Sequence, residues 1–273
     1  MKKFTVKENT TLKEFTDATY PQGSFAYGAL IKKGDIRVNG IKTRENITLS
    51  AGDEVVYYTT PAQEAKSSHK VVYEDENVLI ADKPAGVSSE ALFCELEDSG
   101  CLPVHRLDRN TCGLIALAKN AEAQAELLSA FKNRDVEKIY LCFAKNAFKN
   151  GQAVLTAYAS KNAEAGRVKV YDIPAEGRVK MITEYAVLKT CGDYALVKVT
   201  LHTGKTHQIR AHLAHIGCPV LGDGKYGDFA LNKKYGASRQ ILVARTLKFN
   251  LSGSLSYLNA APFTSGFYPS LPR

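Results

Sequence analysis

From Val71 onward the sequence is a series of short apolar segments with strand composition, separated by turn residues. Most neighbouring segments are joined too briefly for a parallel crossover, which needs about a dozen residues or more. The predicted strands are 71–73, 78–81, 113–118, 138–144, 178–189 and 194–201. One helix is predicted at 121–132, where Ala, Glu, Gln and Leu dominate. This pattern predicts an α+β fold with a mixed, largely antiparallel sheet.

The first 60 residues carry a separate and complete pattern. Its predicted elements are a helix start near Thr11, a helical run at 30–33, a strand at 36–39 turning at Asn39-Gly40, and strands at 41–49 and 54–59. Residues 61–70, PAQEAKSSHK, lack large apolar side chains and have the composition of a linker. We therefore predict a small α/β-hairpin domain at 1–60, a linker at 61–70 and a larger domain at 71–273.

Basic residues are in excess, because 36 Lys and Arg stand against 28 Asp and Glu, for a net charge of +8. Such a balance indicates a polyanionic partner. Lys32, Lys33 and Arg37, with Lys42 and Arg44, lie where the predicted helix meets the hairpin. They predict a basic edge, and the alternative is an ordinary solvated face.

The cysteines and the apolar segments indicate the compartment. Six cysteines occur without a C-x-x-C pair, which argues against a zinc ribbon, a redox motif or a disulfide scaffold and indicates free thiols. Residues 1–6 lack the apolar core of a signal peptide, and no stretch reaches the roughly 18 apolar residues of a membrane span. We expect a cytoplasmic protein with no membrane partner.

The stretch His105-Arg106-Leu107-Asp108-Arg109-Asn110-Thr111-Cys112-Gly113 is the first candidate for chemistry. A carboxylate bracketed by Arg106 and Arg109 is expected to stay ionised, because nearby positive charge favours the charged form. Such a carboxylate can act as a nucleophile or a base. A structural ion-pair loop is the alternative on these residues alone.

The second candidate is the run at 202–217, which holds four of the six histidines. Their spacing does not match the H-E-x-x-H pattern of a zinc helix, and the run has no carboxylate. Gly204-Lys205-Thr206 resembles the end of a phosphate-binding loop, but Val199 stands where that motif needs glycine. We therefore expect neither a metal nor a nucleotide cofactor.

The third candidate is the predicted strand that begins at Lys138. Lys138 and Tyr140 alternate onto one face of a strand, so both can point into a groove. A surface tyrosine in an ordinary strand is the alternative.

Together these motifs resemble the RluA-type pseudouridine synthases. The resemblance covers roughly 71–249 and includes H-R-L-D-R-x-T-x-G around Asp108, Lys138-x-Tyr140, G-K-T-H-Q-I-R-x-H and G-D-x-x-Y-G, with a K-P-x-G entry at 83–86. Residues 1–60 resemble, less closely, the ribosomal protein S-four-type RNA-binding module through L-I-x-x-G-x-I-x-V-N-G. The departures from the usual residues are Phe25, Asn110, Cys112, Lys205 and the closing segment 241–251, which lacks the family's His and His-Pro.

The resemblance implies an isomerase that converts uridine to pseudouridine in structured RNA without metal, ATP or nicotinamide. It implies that Asp108 attacks the base or the sugar, or assists cleavage of the glycosidic bond, and that Arg210 pairs with Asp108. It also implies that Tyr140 stacks on the uracil and serves in deprotonating C5. Arg106 would fill the gap left by the flipped-out uridine. The further RNA-binding residues that we expect are Arg109, Lys138, Lys205, His207, Gln208, Lys32, Lys33 and Arg37.

The substrate and the activity have alternatives at this point. Ribosomal RNA is favoured by the N-terminal pattern, and tRNA is possible. We expect a monomer, because all the motifs stand on one chain. The rival functions are a catalytically silent RNA-binding protein of the same fold and a metal-dependent hydrolase that uses the histidine cluster.

Overall fold

The computed structural model describes residues 1–64, 69–162 and 167–272, and the chain divides into two compact units. The first unit comprises Met1–Arg109 and Ala116–Gln124, and the second comprises Asn110–Ile115 and Ala125–Arg273. The predicted linker lies inside the first unit, where Pro61–Glu64 form a short helix and 65–68 lie outside the described residues. The division into domains at 1–60 and 71–273 therefore stays a prediction.

The first unit contains four helices and a set of short strands among its described residues. The helices are α1 (Leu12–Thr19), α2 (Pro21–Lys33), α3 (Pro61–Glu64) and α4 (Ser89–Leu96), followed by the 3-10 helix Glu97–Ser99. The strands are β1 (Lys2–Thr5), β2 (Thr10–Thr11), β3 (Ile36–Val38), β4 (Ile41–Thr43), β5 (Thr48–Leu49), β6 (Glu54–Tyr57), β7 (Lys70–Glu74), β8 (Val78–Lys83) and β9 (Leu102–Pro103). Strand β10 (Cys112–Ala118) has its last three residues in this unit.

Local signals explain the N-terminal elements. Thr11 caps α1 in a capping box with Glu14, and Gly34 ends α2 in the left-handed region at φ 74°. Asn39 and Gly40 both have positive φ, the geometry of a two-residue hairpin turn between β3 and β4. The sheet runs β1-β6-β3-β4, entirely antiparallel, and buried residues such as Leu12, Leu30 and Ile36 fill its core.

The second unit is built mostly from long strands. They are β11 (Val136–Lys145), β12 (Gln152–Asn162), β13 (Arg167–Tyr171), β14 (Val179–Cys191), β15 (Tyr194–Leu201), β16 (Leu242–Phe249) and β17 (Phe263–Thr264), with the first four residues of β10. The helices are α5 (Ala121–Asn133), whose first residues count with the first unit, α6 (Gln208–His215), α7 (Phe229–Lys234) and the 3-10 helix Ser256–Ala260.

The sheet of the second unit is mixed and mostly antiparallel. Its strands run in the order β13-β12-β14-β15-β11-β16, each antiparallel to its neighbour, whereas β10 lies parallel to β16 at Cys112 and Gly113. Helix α6 packs through Ala211 on one face of β12–β14. The predicted α+β class with a mixed, largely antiparallel sheet is confirmed.

Several sequence predictions differ from the structure in extent. The predicted strand at 41–49 is broken, because Asn46 leaves the sheet and accepts a hydrogen bond from the Lys13 amide at 2.8 Å, which leaves separate β4 and β5. Strands β12, β13 and β16 were not predicted. The predicted helix at 121–132 is confirmed as α5. No helix in the described part of the chain has the length and apolarity needed to cross a membrane.

Candidate active site

Asp108 lies in a loop between β9 and β10, and buried Ser89 holds the preceding residue, Leu107. The Ser89 hydroxyl donates to the Leu107 carbonyl at 2.9 Å and accepts from the Leu107 amide at 2.9 Å. Ser89 is the first residue of α4 and is fully buried, so its rotamer is fixed by packing. These two bonds define the backbone position of Leu107 and limit the freedom of Asp108.

The residue after Asp108 is held by a buried ammonium group. Lys83, at the end of β8, has no exposed surface, and its Nζ donates to the carbonyls of Pro84, Val87 and Arg109 at 3.1, 2.7 and 3.2 Å. The Gly86 amide donates to the same Arg109 carbonyl at 2.9 Å. A buried charge is tolerated only where its hydrogen bonds are made, which is the case here. The K-P-x-G segment therefore anchors the Asp108 loop.

The two arginines that flank Asp108 bind other carboxylates. Arg106 pairs with Glu90 at 2.8 Å and is mostly exposed, whereas the Arg109 guanidinium pairs with buried Asp17 of α1 and donates to the Gly86 carbonyl at 3.0 Å. Burial lowers the pKa of Arg109 to about 10, which leaves it charged at neutral pH. Both arginines thus have carboxylate partners that the sequence could not show, and the expected bracket around Asp108 stays a prediction.

Tyr140 and Lys138 share one face of β11 in the second unit. Tyr140 lies at a β-bulge against β16 and is nearly buried. Lys138 is 8% exposed, its Nζ is 5.8 Å from the centre of the Phe131 ring, and burial together with nearby Arg134 lowers its pKa. The ammonium group predicted to contact RNA is thus largely covered in this structure.

Arg210 lies in α6, buried, and is gripped by Asp223. Its Nε and Nη2 donate to Asp223 Oδ2 at 2.7 Å and Oδ1 at 3.0 Å, a bidentate pair in which the carboxylate has no exposed surface. Asp223 Oδ1 also accepts from the amides of Lys225 and Tyr226 at 2.8 and 3.1 Å. Burial raises the pKa of Asp223, but the hydrogen bonds from Arg210 and these amides outweigh it and lower the pKa overall.

Asp223 received no role from the sequence, although it stands in the G-D-x-x-Y-G motif. Gly222 before it has φ 80°, and a Cβ there would lie 1.9 Å from the Arg239 carbonyl oxygen. Only glycine fits this close approach. The motif thus supplies the turn that delivers a carboxylate to Arg210.

The residues at the start of α6 differ in their exposure. Gln208 is buried, accepts from Thr203 and the Lys205 amide at 2.8 and 3.0 Å, and donates to Ile182 and Thr183 at 3.0 Å each. Its amide is thus committed to the protein, so the expected RNA contact is not available to it in this structure. His207, at φ 53°, faces the Tyr226 hydroxyl at 2.9 Å, and Lys205 is exposed.

The other histidines of this run are also engaged within the protein. His212 contacts Thr183 at 3.0 Å and His215 contacts Asp172 at 2.7 Å. Among the residues that the structure describes, no group of three or more His, Cys, Asp or Glu side chains is arranged to bind a metal ion.

The predicted basic edge of the N-terminal region is partly exposed. Lys32 and Lys33 end α2 and are exposed, as are Lys42 and Arg44. Arg37 in β3 is half-buried, with its guanidinium 5.1 Å from the centre of the Tyr58 ring. Asp108 belongs to the first unit, whereas Tyr140 and Arg210 belong to the second.

Comparisons with known proteins agree with the fold and these motifs. The sequence profile of the RNA pseudouridylate synthase family matches residues 77–215. A protein of Aquifex aeolicus named as an uncharacterised RNA pseudouridine synthase is 33% identical over 249 residues, which covers 81% of this chain and 78% of that protein. Ribosomal large subunit pseudouridine synthase D of Pseudomonas aeruginosa is 31% identical over 220 residues. The alignment covers 72% of this chain and 67% of that protein.

A solved structure also shares the fold. The human RNA pseudouridylate synthase domain containing 4 aligns with a TM-score of 0.59 at 22% identity, over 74% of this chain and 88% of that one. The chain therefore belongs to the RNA pseudouridylate synthase family. The protein is an RNA pseudouridine synthase, an isomerase that acts on RNA.

Proposed function

We propose that the protein converts uridine to pseudouridine in ribosomal RNA, with Asp108 as its nucleophile. The fixed loop supports this assignment most strongly, because Ser89 and Lys83 hold the backbone on both sides of Asp108. A nucleophile requires such positioning to be effective. Ribosomal RNA is favoured because similar proteins are named ribosomal large subunit pseudouridine synthases, and tRNA is the second candidate.

The chemistry is a rearrangement within one nucleoside. The C–N bond between ribose C1′ and uracil N1 breaks, a C–C bond forms between C1′ and uracil C5, the C5 proton leaves and N1 gains a proton. No electrons are gained or lost, so the balanced reaction needs no oxidant or reductant. Asp108 contributes a carboxylate that attacks the base or the sugar, or assists cleavage of the glycosidic bond.

The other proposed roles follow from charge and shape. Arg210 carries a fixed positive charge, because Asp223 holds its guanidinium at two atoms, and it stabilises Asp108 in the ionised form. Tyr140 stacks on the uracil and assists removal of the C5 proton. Arg106 is mostly exposed on its loop and enters the space left when the uridine flips out of the RNA stack.

The test is tritium release from RNA labelled at uracil C5, with EDTA present. Asp108→Asn removes the charge at nearly constant volume and should lower the rate by several orders of magnitude, with RNA affinity within about twofold of wild type. The matched control is Asp193→Asn, which removes a carboxylate that pairs with Lys234 at the surface. That variant should keep the wild-type rate.

The outcomes separate the possibilities. Equal loss of RNA binding and rate in a folded Asp108→Asn protein would contradict the nucleophile role. Absence of release by wild type from unmodified total RNA that it still binds would favour the catalytically silent RNA-binding protein.

We also propose that residues 1–60 form an RNA-binding domain of the ribosomal protein S-four type, in a monomeric cytoplasmic enzyme. The exposed Lys32 and Lys33 at the end of α2 support the RNA contact. Protection of these two lysines from acetylation by bound RNA checks the proposal, and light scattering checks the monomer.

A further inference from the structure

The outer face of the sheet in the second unit carries cations around Tyr171. Arg167, Lys169 and Tyr171 alternate onto one face of β13, the edge strand of this sheet. Tyr158 of β12 pairs in register with Tyr171 on one side and with Lys180 of β14 on the other. The β13 surface is defined as the side chains of Arg167, Lys169, Tyr171, Arg178 and Lys180.

The opposite face of the same strands is packed. Ala157, Ala159, Val168 and Met181 are buried there together with Ala211 of α6. Because successive side chains on a strand point to opposite faces, the β13 surface points away from α6. It therefore lies on the other side of the sheet from the helix that carries Arg210.

Tyr171 and its neighbours form an ordered group. The Arg178 guanidinium lies 3.6 Å from the centre of the Tyr171 ring, and its Nη1 donates to the Ile173 carbonyl at 3.0 Å. Lys169 Nζ lies 5.3 Å from the same ring centre. A stacked and anchored arginine loses little further conformational entropy when it binds a ligand.

Asp172 and Glu184, two acids near the β13 surface, pair with histidines. In the described part of the chain, no ion pair joins a carboxylate to Lys169, Arg178 or Lys180. Asp172, which follows Tyr171, pairs with His215 at 2.7 Å on the other side, and Glu184 pairs with His202 at 2.9 Å.

Two other lysines of the same unit are paired with carboxylates. Lys145 pairs with Asp228 at 2.9 Å, and Lys234 pairs with Asp193. Lys145 and Lys234 therefore serve as paired lysines of the same unit with which the β13 surface can be compared.

We propose that the β13 surface binds the phosphodiester backbone of the RNA substrate, at a segment outside the target uridine. The inference rests on the proposed function and adds a second contact region to it. Uncompensated lysine and arginine beside an aromatic ring match a polyanion with bases, since phosphates pair with the cations and bases stack on arginine or tyrosine. RNA that reaches this surface passes around the edge strand β13, so a long substrate uses it and a short stem-loop does not.

The experiment compares two double variants that remove the same charge. Lys169→Ala/Lys180→Ala acts on the β13 surface, and Lys145→Ala/Lys234→Ala acts on paired lysines of the same unit. RNA affinity for a long ribosomal RNA fragment is measured over a range of salt concentrations. Loss of two phosphate contacts should reduce the slope of log K against log salt by about 1.4 to 1.8. Relative to 1 M salt, this corresponds to binding that is roughly 25- to 60-fold weaker at 0.1 M salt.

The control double variant should leave the slope within experimental error of wild type. An equal fall of the slope in both double variants would mean that overall charge, and not this surface, is responsible. With a stem-loop of the target region alone, both double variants should bind like wild type. An equal loss on the stem-loop would contradict the placement of the contact away from the target uridine.

A second measurement does not depend on how the variants fold. Bound long RNA should protect Lys169 and Lys180 of the wild-type protein from acetylation, and should leave Lys145 and Lys234 reactive. Unprotected Lys169 and Lys180 in a saturated complex would overturn the proposal, as would protection by an acidic polypeptide but not by RNA.

Failure of this inference is distinguishable from failure of the proposed function. If wild type releases tritium and the salt slope of the Lys169→Ala/Lys180→Ala protein is unchanged, the RNA contact at the β13 surface is contradicted. The proposed isomerase activity and the role of Asp108 are not affected by that result. A reduced slope in that double variant, together with no tritium release by wild type, would support the RNA contact at the β13 surface and contradict the proposed isomerase function.

Discussion

Replacement of Asp223 by asparagine tests the buried ion pair that holds Arg210. In the wild-type protein Oδ2 accepts from Arg210 Nε, and Oδ1 accepts from Arg210 Nη2 and from two backbone amides. An asparagine NH₂ group in either position faces at least one N–H donor. The less costly orientation places the NH₂ group at the position of Oδ2. The 2.7 Å hydrogen bond from Arg210 Nε is then lost, and this N–H donor faces the NH₂ donor.

The expected cost follows from the burial of both partners. Asp223 has no exposed surface and Arg210 is 7% exposed, so Asp223→Asn leaves an uncompensated guanidinium inside the protein. Removal of one partner of a buried pair costs about 3–5 kcal/mol. With a urea m-value of about 3 kcal/mol/M, the midpoint should fall by roughly 1–1.7 M.

The assay is equilibrium urea unfolding followed by circular dichroism, because the chain contains no tryptophan. Asp228→Asn is the matched control, since Asp228 caps α7 and pairs with the half-exposed Lys145. That variant should cost only about 1 kcal/mol. Equal costs of 1 kcal/mol or less for both substitutions would refute the reasoning that the buried pair is uniquely dependent on its carboxylate.

The same pair predicts a pH dependence with a defined sign. The folded-state pKa of Asp223 is lowered, so the stability that its carboxylate contributes is complete above the ordinary aspartate pKa of about 4. That contribution is lost as pH falls through the lowered folded-state pKa. The difference in unfolding free energy between wild type and Asp223→Asn should therefore be constant from pH 7 to 5 and shrink below that range.

Two further predictions concern the second unit. Gly113→Ala should destabilise the protein by roughly 3 kcal/mol or more, because φ is 111° and the new Cβ would lie 2.2 Å from the Ala244 carbonyl oxygen. The control is Gly177→Ala, where φ is 74° and no atom lies within 4 Å of the new Cβ, and it should cost about 1 kcal/mol. Urea unfolding of both variants checks this, and similar costs would contradict the close approach. His212 is buried, and burial first and then nearby His215 lower its pKa to about 4. As pH falls, His212 therefore gains its proton in the unfolded chain before it does so in the folded protein, and the free energy of unfolding should decrease from pH 6.5 to pH 4. His212→Gln should flatten this part of the profile of unfolding free energy against pH. An unchanged profile in that variant would contradict the prediction.

The elements that could be predicted from the sequence carry local signals. Thr11 and Glu14 form a capping box within four residues, Asn39-Gly40 defines a hairpin turn, and α5 has the composition of a helix. Asp108 could be singled out because its motif is contiguous. These predictions needed only neighbours along the chain.

The features that the sequence could not reveal depend on distant partners. Gln208 is part of a recognisable motif, but its four hydrogen bonds go to residues of β14, the segment after β15 and the turn before α6. Asp223 and Arg210 are separated by a turn whose geometry depends on Gly222 and Arg239. Lys138 and Arg37 are covered by rings whose positions follow from packing. Residue type and motif alone suggested an RNA contact for Gln208, Lys138 and Arg37.

The pair between Asp17 and Arg109 has a consequence for the order of events during synthesis. The N-terminal helices leave the ribosome before residue 109 is made, and N-terminal segments generally fold first. Asp17 is buried, but Ser24 donates to it at 2.6 Å and Lys13 lies 3.7 Å away, both within the first 60 residues. The nascent segment can therefore satisfy its buried carboxylate from its own side chains. Arg109 then pairs with the Asp17 carboxylate, which is already ordered. The loop that carries Asp108 is thus positioned against helix α1, which has folded before it.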